Sequence, residues 1–368
     1  MPAGEDVTMT MQAVVMQDGA LALSRGPIPT PGRGEVLVKT LACGICGSDI
    51  HCVAHGPKLI ESARAVAGIE LYDPTRPVVL GHEFCAEIVD HGVGTRKAQA
   101  VGTRVVSAPF LLRDYPITLG FGGFETPGGF AEYMLLTEDL VIPVPDDVPS
   151  DMATLAEPLS VALHAVNRGR LDRDDVPIVI GCGPIGLAVI AVLKMRGIGP
   201  IVAADFSPTR RRMAERLGAD VVVDPRETSP YDSWRAVAAA ADPSRVGRQT
   251  PMFPGHAFRQ AVIFECVGVP GVIQQVLAGA PPCSKVVVAG LCMEQDHFYP
   301  TYGILKEIDL AFCIAYSPQE FAESLAGIVS GKLDVGALIT GHVGLDGVPD
   351  AFDRLRDPEQ DVKVVITV

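Results

Sequence analysis

The feature that most constrains the fold is an apolar run at residues 178–193 that a glycine-rich turn interrupts. Residues 177–180 form a short segment rich in β-branched side chains, which is typical of a buried strand. In residues 184–196 the apolar side chains recur with helical spacing. The turn between them reads Gly181-Cys-Gly-Pro-Ile-Gly186. A strand, a glycine turn and a helix in direct succession predict the first βα unit of a parallel sheet, although a glycine turn also occurs in unrelated α/β domains.

The same alternation of strand and helix continues along the chain. Strand-like segments occupy residues 201–204, 221–223, 261–265, 285–289 and 308–315, and residues 208–217 form a helical segment between the first two. Gly197 and Gly218 suit the ends of the two helices. We therefore predict a doubly wound, Rossmann-type parallel sheet with right-handed crossovers. Residues 241–259, which include His256, have loop chemistry and are interpreted as an excursion from this sheet.

Residues 10–150 have a different character. Short β-type runs such as 35–39, 84–89 and 104–107 are separated by glycine and proline. This pattern is typical of an antiparallel barrel or sandwich. A chain of 368 residues is long enough for two domains of ordinary size.

The glycine turn predicts a dinucleotide site. Gly181 permits the tight turn, Gly183 lets the backbone approach a pyrophosphate, and Gly186 lets helix and strand pack closely. Pro184 and Ile185 begin the helix whose N-terminus faces the phosphates. Asp205 ends the next strand, where its carboxylate can bind ribose hydroxyls and repel a 2′-phosphate. NAD is therefore favoured, and Arg210, Arg211 and Arg212 on the following helix leave NADP open.

Three segments carry candidate metal ligands: residues 44–51, 81–83 and 156–160. A catalytic zinc needs about three protein ligands and one open position. Cys46, His82 and a carboxylate from Glu83 or Glu157 would supply them, and thiolate plus carboxylate would neutralise the metal charge. Taken singly, each has an ordinary alternative as a buried thiol, a core histidine or a helix-capping carboxylate. Cys43 and Cys46 also form a CxxC, but no thioredoxin-like context surrounds it.

Taken together, these motifs resemble the zinc-containing medium-chain alcohol and polyol dehydrogenases. The residues that carry the resemblance, in the family's order, are Gly44-Ile-Cys-Gly-Ser-Asp-Ile-His51, Gly81-His-Glu83, Glu157-Pro-Leu-Ser160 and Gly181-Cys-Gly-Pro-Ile-Gly186. The resemblance implies an α/β protein whose Rossmann domain is inserted into a β-rich, barrel-like (GroES-like) catalytic domain. The expected divisions are residues 1–158 and 315–368 for the catalytic domain and 159–314 for the NAD-binding domain.

The resemblance also implies roles for single residues. Cys46 and His82 are expected to ligate zinc, with Glu157 as the ligand that the polyol branch uses and Glu83 as an alternative. Asp49 would orient the His82 ring. Ser48 and His51 match the family's proton relay: Ser48 would take the proton of a zinc-bound hydroxyl, and His51 would pass it to solvent.

Two departures from the family pattern matter. Residues 108–130 contain no cysteine, so we expect one catalytic zinc per chain and no structural zinc. The ligands Cys46 and His82 are separated by an extended segment, residues 55–76, that looks like the loop of the 2,3-butanediol dehydrogenase branch. The glycine-rich residues 119–124 and 128–133 share that resemblance.

The expected function is a zinc-dependent transfer of hydride between a secondary alcohol or vicinal diol and NAD, with ketone or aldehyde reduction as the reverse reaction. The alternative within the class is a polyol or sorbitol-like sugar dehydrogenase. A non-catalytic nucleotide-binding relative and a zinc-free quinone reductase are disfavoured, because neither has a chemical need for the full set of candidate residues.

Charge and assembly complete the expectations. The formal charge of −14 disfavours nucleic acid and anionic lipid as partners and favours a small-molecule substrate. The acidic first residues lack the apolar region of a secretory signal, and the odd count of nine cysteines favours a reducing cytoplasm. In relatives, the strand corresponding to residues 308–315 extends the sheet across a two-fold interface, so we expect a homodimer or homotetramer; an ordinary buried strand is the alternative.

Overall fold

The computed structural model describes residues 9–240, 242–254 and 257–368. Ala241 and His256, which belong to the predicted excursion, lie outside the described residues. The chain divides into two compact units. Unit 1 comprises Met1–Glu157, Gly341–Arg356 and Lys363–Val368, and unit 2 comprises Pro158–Thr340 and Asp357–Val362.

Unit 1 is built on antiparallel strands. Their bounds are β1 (Thr10–Gln17), β2 (Ala20–Pro27), β3 (Glu35–Gly44), β4 (Val78–Val79), β5 (Glu83–His91), β6 (Arg104–Ser107), β7 (Phe110–Leu112), β8 (Pro116–Thr118), β9 (Tyr133–Thr137) and β10 (Val141–Pro143). The helices are α1 (Gly47–Ala67), α2 (Ser150–Thr154) and the start of α3 (Ala156–Gly169).

The centre of unit 1 is β3, which pairs with β5 on one side and with the last strand of the chain on the other. That last strand, Lys363–Thr367, runs antiparallel to β3 and sets Val365 opposite Gly44. Buried side chains such as Ile88 and Phe130 fill the core beneath the sheet. The prediction that both ends of the chain build the β-rich domain is therefore confirmed.

Unit 2 contains the six-stranded parallel sheet, in the order β13-β12-β11-β14-β15-β16. Its elements are β11 (Val176–Ile180), α4 (Pro184–Met195), β12 (Val202–Ala204), α5 (Pro208–Leu217), β13 (Val221–Val223), α6 (Pro230–Val237), β14 (Ala261–Glu265), α7 (Val272–Gly279), β15 (Lys285–Val288), α8 (Pro300–Lys306), β16 (Asp309–Phe312) and α9 (Pro318–Val329). The chain closes with β17 (Ile339–Val343), α10 (Val348–Leu355) and β18 (Lys363–Thr367). Within the described residues, short 3-10 helices lie at Glu138–Leu140, Pro243–Arg245, Gly336–Leu338 and Leu345–Gly347.

The predicted doubly wound sheet is confirmed, and its core strands are almost wholly apolar. β11 and β14 pair in parallel over all five residues of each strand. Both are buried on both faces, which explains their continuous apolar sequences. In the division into compact units, unit 1 resumes at Gly341. The domain limits 1–158, 159–314 and 315–368 stay a prediction.

Residues 55–76, which the resemblance treated as a loop, are helical in their first part, since α1 extends through Ala67. The helix runs through Ala67 and ends at Gly68, whose φ of 66° lies in the left-handed region that closes helices. Its geometry is broken at His55, two residues before Pro57. Proline cannot donate the helical hydrogen bond and crowds the preceding turn, so it explains a kink there.

No helix in the described part of the chain is long and apolar enough to cross a membrane.

Candidate active site

The first turn of α1 collects several predicted residues. Cys46 is the residue before the helix, and its backbone N–H donates to Asp49 Oδ2 over 2.9 Å. An acidic side chain in the first turn of a helix both caps a free N–H and complements the helix dipole. Asp49 is buried, and its other oxygen, Oδ1, accepts a long bond of 3.4 Å from the Gly81 N–H. The carboxylate therefore fixes the Cys46 segment against the Gly81-His82-Glu83 segment.

His82 lies between the two groups that the sequence assigned to it. Its Nδ1 is 3.4 Å from Asp49 Oδ1, and its Nε2 is 3.1 Å from Ser48 Oγ. Burial lowers the pKa of the imidazole, but Asp49 and then Cys46 outweigh it and hold that pKa well above the ordinary value. With Nδ1 directed at Asp49, the ring presents Nε2 to Ser48, which is the arrangement of a metal-ligating histidine steered by a carboxylate.

The donor chemistry at this point fits zinc. The Cys46 side chain contacts the His82 ring, so a soft thiol and an imidazole converge, with a carboxylate orienting the ring. Across residues 9–240, 242–254 and 257–368, however, no three His, Cys, Asp or Glu side chains form a cluster able to hold a metal. The structure thus brings together two of the four predicted ligands, and the full ligand set stays a prediction.

Glu83 forms a buried ion pair with Lys363. Both of its carboxylate oxygens accept hydrogen bonds of 2.7 Å from Lys363 Nζ, and both side chains are buried, at 0% and 2% exposure. Gly44 makes room for this pair, since a Cβ there would lie 2.2 Å from Glu83 Oε2. Glu83, the alternative ligand of the sequence-based prediction, is therefore a buried ion-pair partner in this structure.

Glu157, the other predicted carboxylate ligand, lies in the first turn of α3 and is 8% exposed. Burial lowers the pKa of Lys363, but Glu83, Cys46 and Glu157 together raise it above the ordinary value. Glu157 thus belongs to the same electrostatic cluster as Cys46 and Glu83. A single buried ammonium among three potential anions lowers the cost of holding them close together.

Sequence reasoning missed Lys363. The signal was present, because Lys363 is the one charged residue in the apolar run of residues 362–368. A charged residue on a buried strand needs a partner, and Lys363 also donates to the Ile45 carbonyl over 2.9 Å. The partner itself could not be read from the sequence, since Glu83 is 280 residues away.

His51 lies one turn along α1 from Ser48 and is half-buried. No hydrogen bond joins Ser48 to His51 within the described residues, so the proton relay is not assembled by direct contact. The nearest ring is that of His55, with 6.1 Å between the two ring centroids. Burial lowers the pKa of His51, and the charge of His55 lowers it further.

The glycine loop of unit 2 has the geometry that its sequence predicts. Gly181 has a φ of 90°, and a Cβ on Gly186 would lie 1.9 Å from the Gly181 carbonyl oxygen. Gly183 is the residue before α4, and Pro184 is the first residue of that helix, with Ile185 following. The backbone N–H groups at this helix start are the donors that phosphate oxygens use in Rossmann folds.

Asp205 stands beside the loop. Its Oδ2 accepts from the Cys182 N–H and its Oδ1 from the Ser207 N–H, each over 2.7 Å. A carboxylate retains further acceptor capacity after two such bonds, so ribose hydroxyls remain possible partners. Of the three arginines, Arg211 binds Asp224, and only Arg210 has a guanidinium atom, Nη1, 3.9 Å from a Cβ built on Gly183.

The chain matches two family models. Residues 32–146 match the alcohol dehydrogenase GroES-like domain, and residues 184–330 match the zinc-binding dehydrogenase model. The (R,R)-butanediol dehydrogenase of Bacillus subtilis (strain 168) is 32% identical over 92% of this chain and 94% of its own length. The sorbitol dehydrogenase of the same organism is 27% identical over 98% of this chain and 98% of its own length.

A solved structure agrees in fold. A protein described as a zinc-binding dehydrogenase from Sinorhizobium meliloti 1021, bound to NADP, superposes with a TM-score of 0.78 at 26% identity. The match covers 98% of this chain and 100% of that one. The chain therefore belongs to the zinc-containing medium-chain alcohol and polyol dehydrogenases, a family of oxidoreductases.

Proposed function

We propose that this protein oxidises a secondary alcohol or vicinal diol with NAD and reduces the corresponding carbonyl compound in reverse. The observation that carries the proposal is the Ser48–His82–Asp49 chain of contacts beside Cys46. A hydroxyl next to a steered imidazole and a thiol is suited to bind a substrate oxygen and accept its proton.

The zinc ligands that we propose are Cys46, His82 and Glu157. Glu83 is the weaker candidate, because Lys363 already binds both of its oxygens. When bound, zinc supplies a Lewis acid that lowers the pKa of a substrate hydroxyl. Asp49 holds the His82 ring in place. Ser48 accepts the proton that the substrate hydroxyl releases and gives up its own hydroxyl proton, which reaches His51 through an intervening ribose hydroxyl or water. His51 then passes that proton toward solvent, which its lowered pKa favours because the ring returns readily to the neutral state.

For the cofactor, we propose NAD bound by Gly181, Gly183, Pro184, Ile185 and Gly186, with Asp205 on the ribose. The negative charge of Asp205 opposes a 2′-phosphate. Arg210 is the residue that keeps NADP as an alternative, since Arg211 is already paired with Asp224. The NADP-bound structure from Sinorhizobium meliloti shows that this alternative has a precedent within the fold.

The substrate class follows from the relatives. The 32% identity to a butanediol dehydrogenase supports a small vicinal diol, and the weaker match to a sorbitol dehydrogenase supports a polyol as the second candidate. A panel of 2,3-butanediol, sorbitol and 2-butanol with NAD separates these classes. The highest kcat/KM on the diol is expected, and turnover of sorbitol alone would favour the second candidate.

Metal content and side-chain replacement test the site. Elemental analysis is expected to give about one zinc per chain, because the sequence offers one ligand set. Two zinc ions per chain would contradict the expected lack of a structural zinc.

Cys46→Ser should lose zinc and activity together. Ser48→Ala should keep zinc and lower kcat more than His51→Gln does, since a positioned acid–base group contributes about 10²–10⁴-fold and water partly replaces a more distant one.

We also propose a homodimer or a dimer of dimers in the cytoplasm. β16 is the edge strand of its sheet; its last residue, Phe312, is 59% exposed, and Ile314, two residues further on, is 81% exposed. An exposed apolar edge strand is a surface suited to pairing with a second copy. All nine cysteines lie in the described residues as free thiols, which is consistent with a reducing compartment. A monomeric mass by light scattering would contradict the assembly.

A further inference from the structure

A cavity of about 250 Å³ lies in unit 2 where the excursion before β14 folds back on the sheet. The residues that line it include three aromatic residues, Trp234, Phe253 and Phe258, and two arginines, Arg235 and Arg259. The cavity also reaches Ala261, the first residue of β14. The glycine loop follows the last residue of the neighbouring parallel strand β11, so the cavity and the nucleotide loop lie at opposite ends of the same sheet.

Trp234 brings an unused donor to this cavity. The side chain is only 3% exposed, yet its indole N–H is buried without any hydrogen-bond acceptor in the described structure. A buried donor without a partner costs about 1–3 kcal/mol, so such groups are uncommon in native proteins and call for an explanation. An acceptor atom supplied by a ligand is an explanation that fits, because Trp234 is one of the residues that line the cavity.

Arg259 brings a charge. Its guanidinium is half-buried and donates to the Val237 carbonyl over 3.0 Å, but no carboxylate in the described residues forms an ion pair with it. Burial lowers the pKa of Arg259 and the nearby Arg245 lowers it further, whereas the more weakly acting Asp174 carboxylate raises it, so that the pKa stays below the ordinary value. The surroundings therefore disfavour this positive charge, and an anion in the cavity would relieve the imbalance. The exposed Arg235 adds a second positive charge at the wall, shared with Asp232 at 3.3 Å.

We propose that this cavity binds a small monocarboxylate with a single six-membered ring, at a site separate from the catalytic one. The ring would pack among Trp234, Phe253 and Phe258, whose faces favour a flat or compact apolar body. The carboxylate would accept from the Arg259 guanidinium and from the Trp234 N–H, which are both donors without acceptor function. A volume of about 250 Å³ admits a ring with one small substituent and excludes a nucleotide.

The protein reports on this cavity through its own fluorescence, because Trp234 is the only tryptophan in the chain. Cyclohexanecarboxylate is the probe, since it is a ring monocarboxylate that does not absorb where tryptophan is excited. A saturable change in Trp234 emission is expected on titration, and it should persist at saturating NAD. The neutral isostere cyclohexanecarboxamide should bind at least tenfold more weakly, because it cannot form the charged pair. Emission that fails to saturate, or equal affinity for acid and amide, would overturn the proposal.

Variants locate the binding groups. Arg259→Gln keeps a donor for the Val237 carbonyl and is expected to weaken binding of cyclohexanecarboxylate at least tenfold. Arg235→Gln, at an exposed position, should weaken binding of cyclohexanecarboxylate by a smaller factor. Because an exposed substitution disturbs folding little, this loss would stand even if Arg259→Gln folded poorly. Arg64→Gln, which removes an exposed charge in unit 1, is the matched control and should bind as wild type. An affinity for the acid that is unchanged in Arg259→Gln would refute the site, whatever activity the enzyme shows on alcohols.

Discussion

Two regions, the one around His82 and the glycine loop of unit 2, are held in place by opposite means. Around His82 and Glu83, charged side chains are buried and satisfied by one another, with Lys363 Nζ at 2.7 Å from Glu83 as the shortest of these pairs. Around the glycine loop, the contacts come from the backbone, and the critical positions are those without a side chain. The Asp205 carboxylate beside the loop is likewise held by backbone N–H groups, those of Cys182 and Ser207.

The difference teaches what each region tolerates. Around His82 and Glu83, removal of one partner leaves a buried charge unpaired, and the loss of stability is electrostatic. Around the glycine loop, addition of one carbon displaces the backbone, and the loss is steric. The same contrast predicts that stability and nucleotide affinity respond to different substitutions, and four measurements test it.

The largest effect is expected for Lys363→Met. Glu83 would remain fully buried without its counter-charge, and removing one partner of a buried pair typically costs about 3–5 kcal/mol of the free energy of unfolding. Denaturant unfolding monitored by circular dichroism measures this cost. The double variant Lys363→Met with Glu83→Gln should recover much of it, because no charge is then left unpaired.

The control for this prediction is an exposed ion pair. Arg64 and Glu70 lie 2.6 Å apart, but more than half of each side chain is exposed. Arg64→Met should leave the unfolding midpoint unchanged, since exposed pairs contribute little. If Lys363→Met were equally harmless, the buried cluster would not be held by charge pairing.

The next effect is steric. Gly186→Ala places a carbon 1.9 Å from the Gly181 carbonyl oxygen, so the loop must move. Because the shifted backbone no longer fits the phosphates, we expect a loss of about 1–3 kcal/mol of binding free energy, roughly a 5- to 150-fold loss of NADH affinity. Titration of NADH fluorescence measures it. Gly303→Ala in α8 is the control, because nothing lies within 4 Å of its added carbon, and NADH should bind it as wild type.

A smaller effect concerns cofactor choice. Asp205→Ala should narrow or reverse the ratio of kcat/KM for NAD over NADP, because it removes a hydroxyl acceptor and a repulsive charge. Expressing the result as a ratio cancels the loss that both cofactors share when the Cys182 and Ser207 N–H groups lose their acceptor. Arg210→Ala is the opposing variant and should disfavour NADP. An unchanged ratio in Asp205→Ala would remove Asp205 from the ribose site.

The two regions also differ in how far their sequences predict them. The glycine loop is local, so strand, turn and helix stand together in 16 or so residues and the pattern alone fixes their arrangement. The elements Pro208–Leu217, Val221–Val223 and Ala261–Glu265 have the bounds expected from sequence. The sequence did not predict that α1 continues as a helix through residues 55–67, because Gly56 and Pro57 are turn signals. In the structure the helix is kinked there and continues.

The buried charges are less predictable, since their partners come from distant strands. Nothing near Glu83 in the sequence predicts that Lys363 is its partner. The pairing of β18 with β3 in the folded chain brings Lys363 next to Glu83. Motif resemblance pointed to Cys46 and His82 together, and in the structure these two side chains are in contact. It could not decide between Glu83 and Glu157, because the surroundings of both carboxylates, including the buried Lys363, are a property of the packed fold.

The smallest expected effect is in the proton relay. His51 is half-buried, and its pKa is lowered first by burial and then by the charge of His55. His55→Gln removes only the second cause, so the pKa of His51 should rise while staying below its ordinary value. A higher pKa means less neutral imidazole at a given acidic pH, so the acid limb of the kcat/KM profile should move to higher pH. Nuclear magnetic resonance titration of the histidine ring protons measures the same change without turnover, and His297→Gln, at an exposed position in unit 2, is the control. A His51 pKa that does not move in His55→Gln would show that the two rings do not interact, and burial alone would then account for the lowered value.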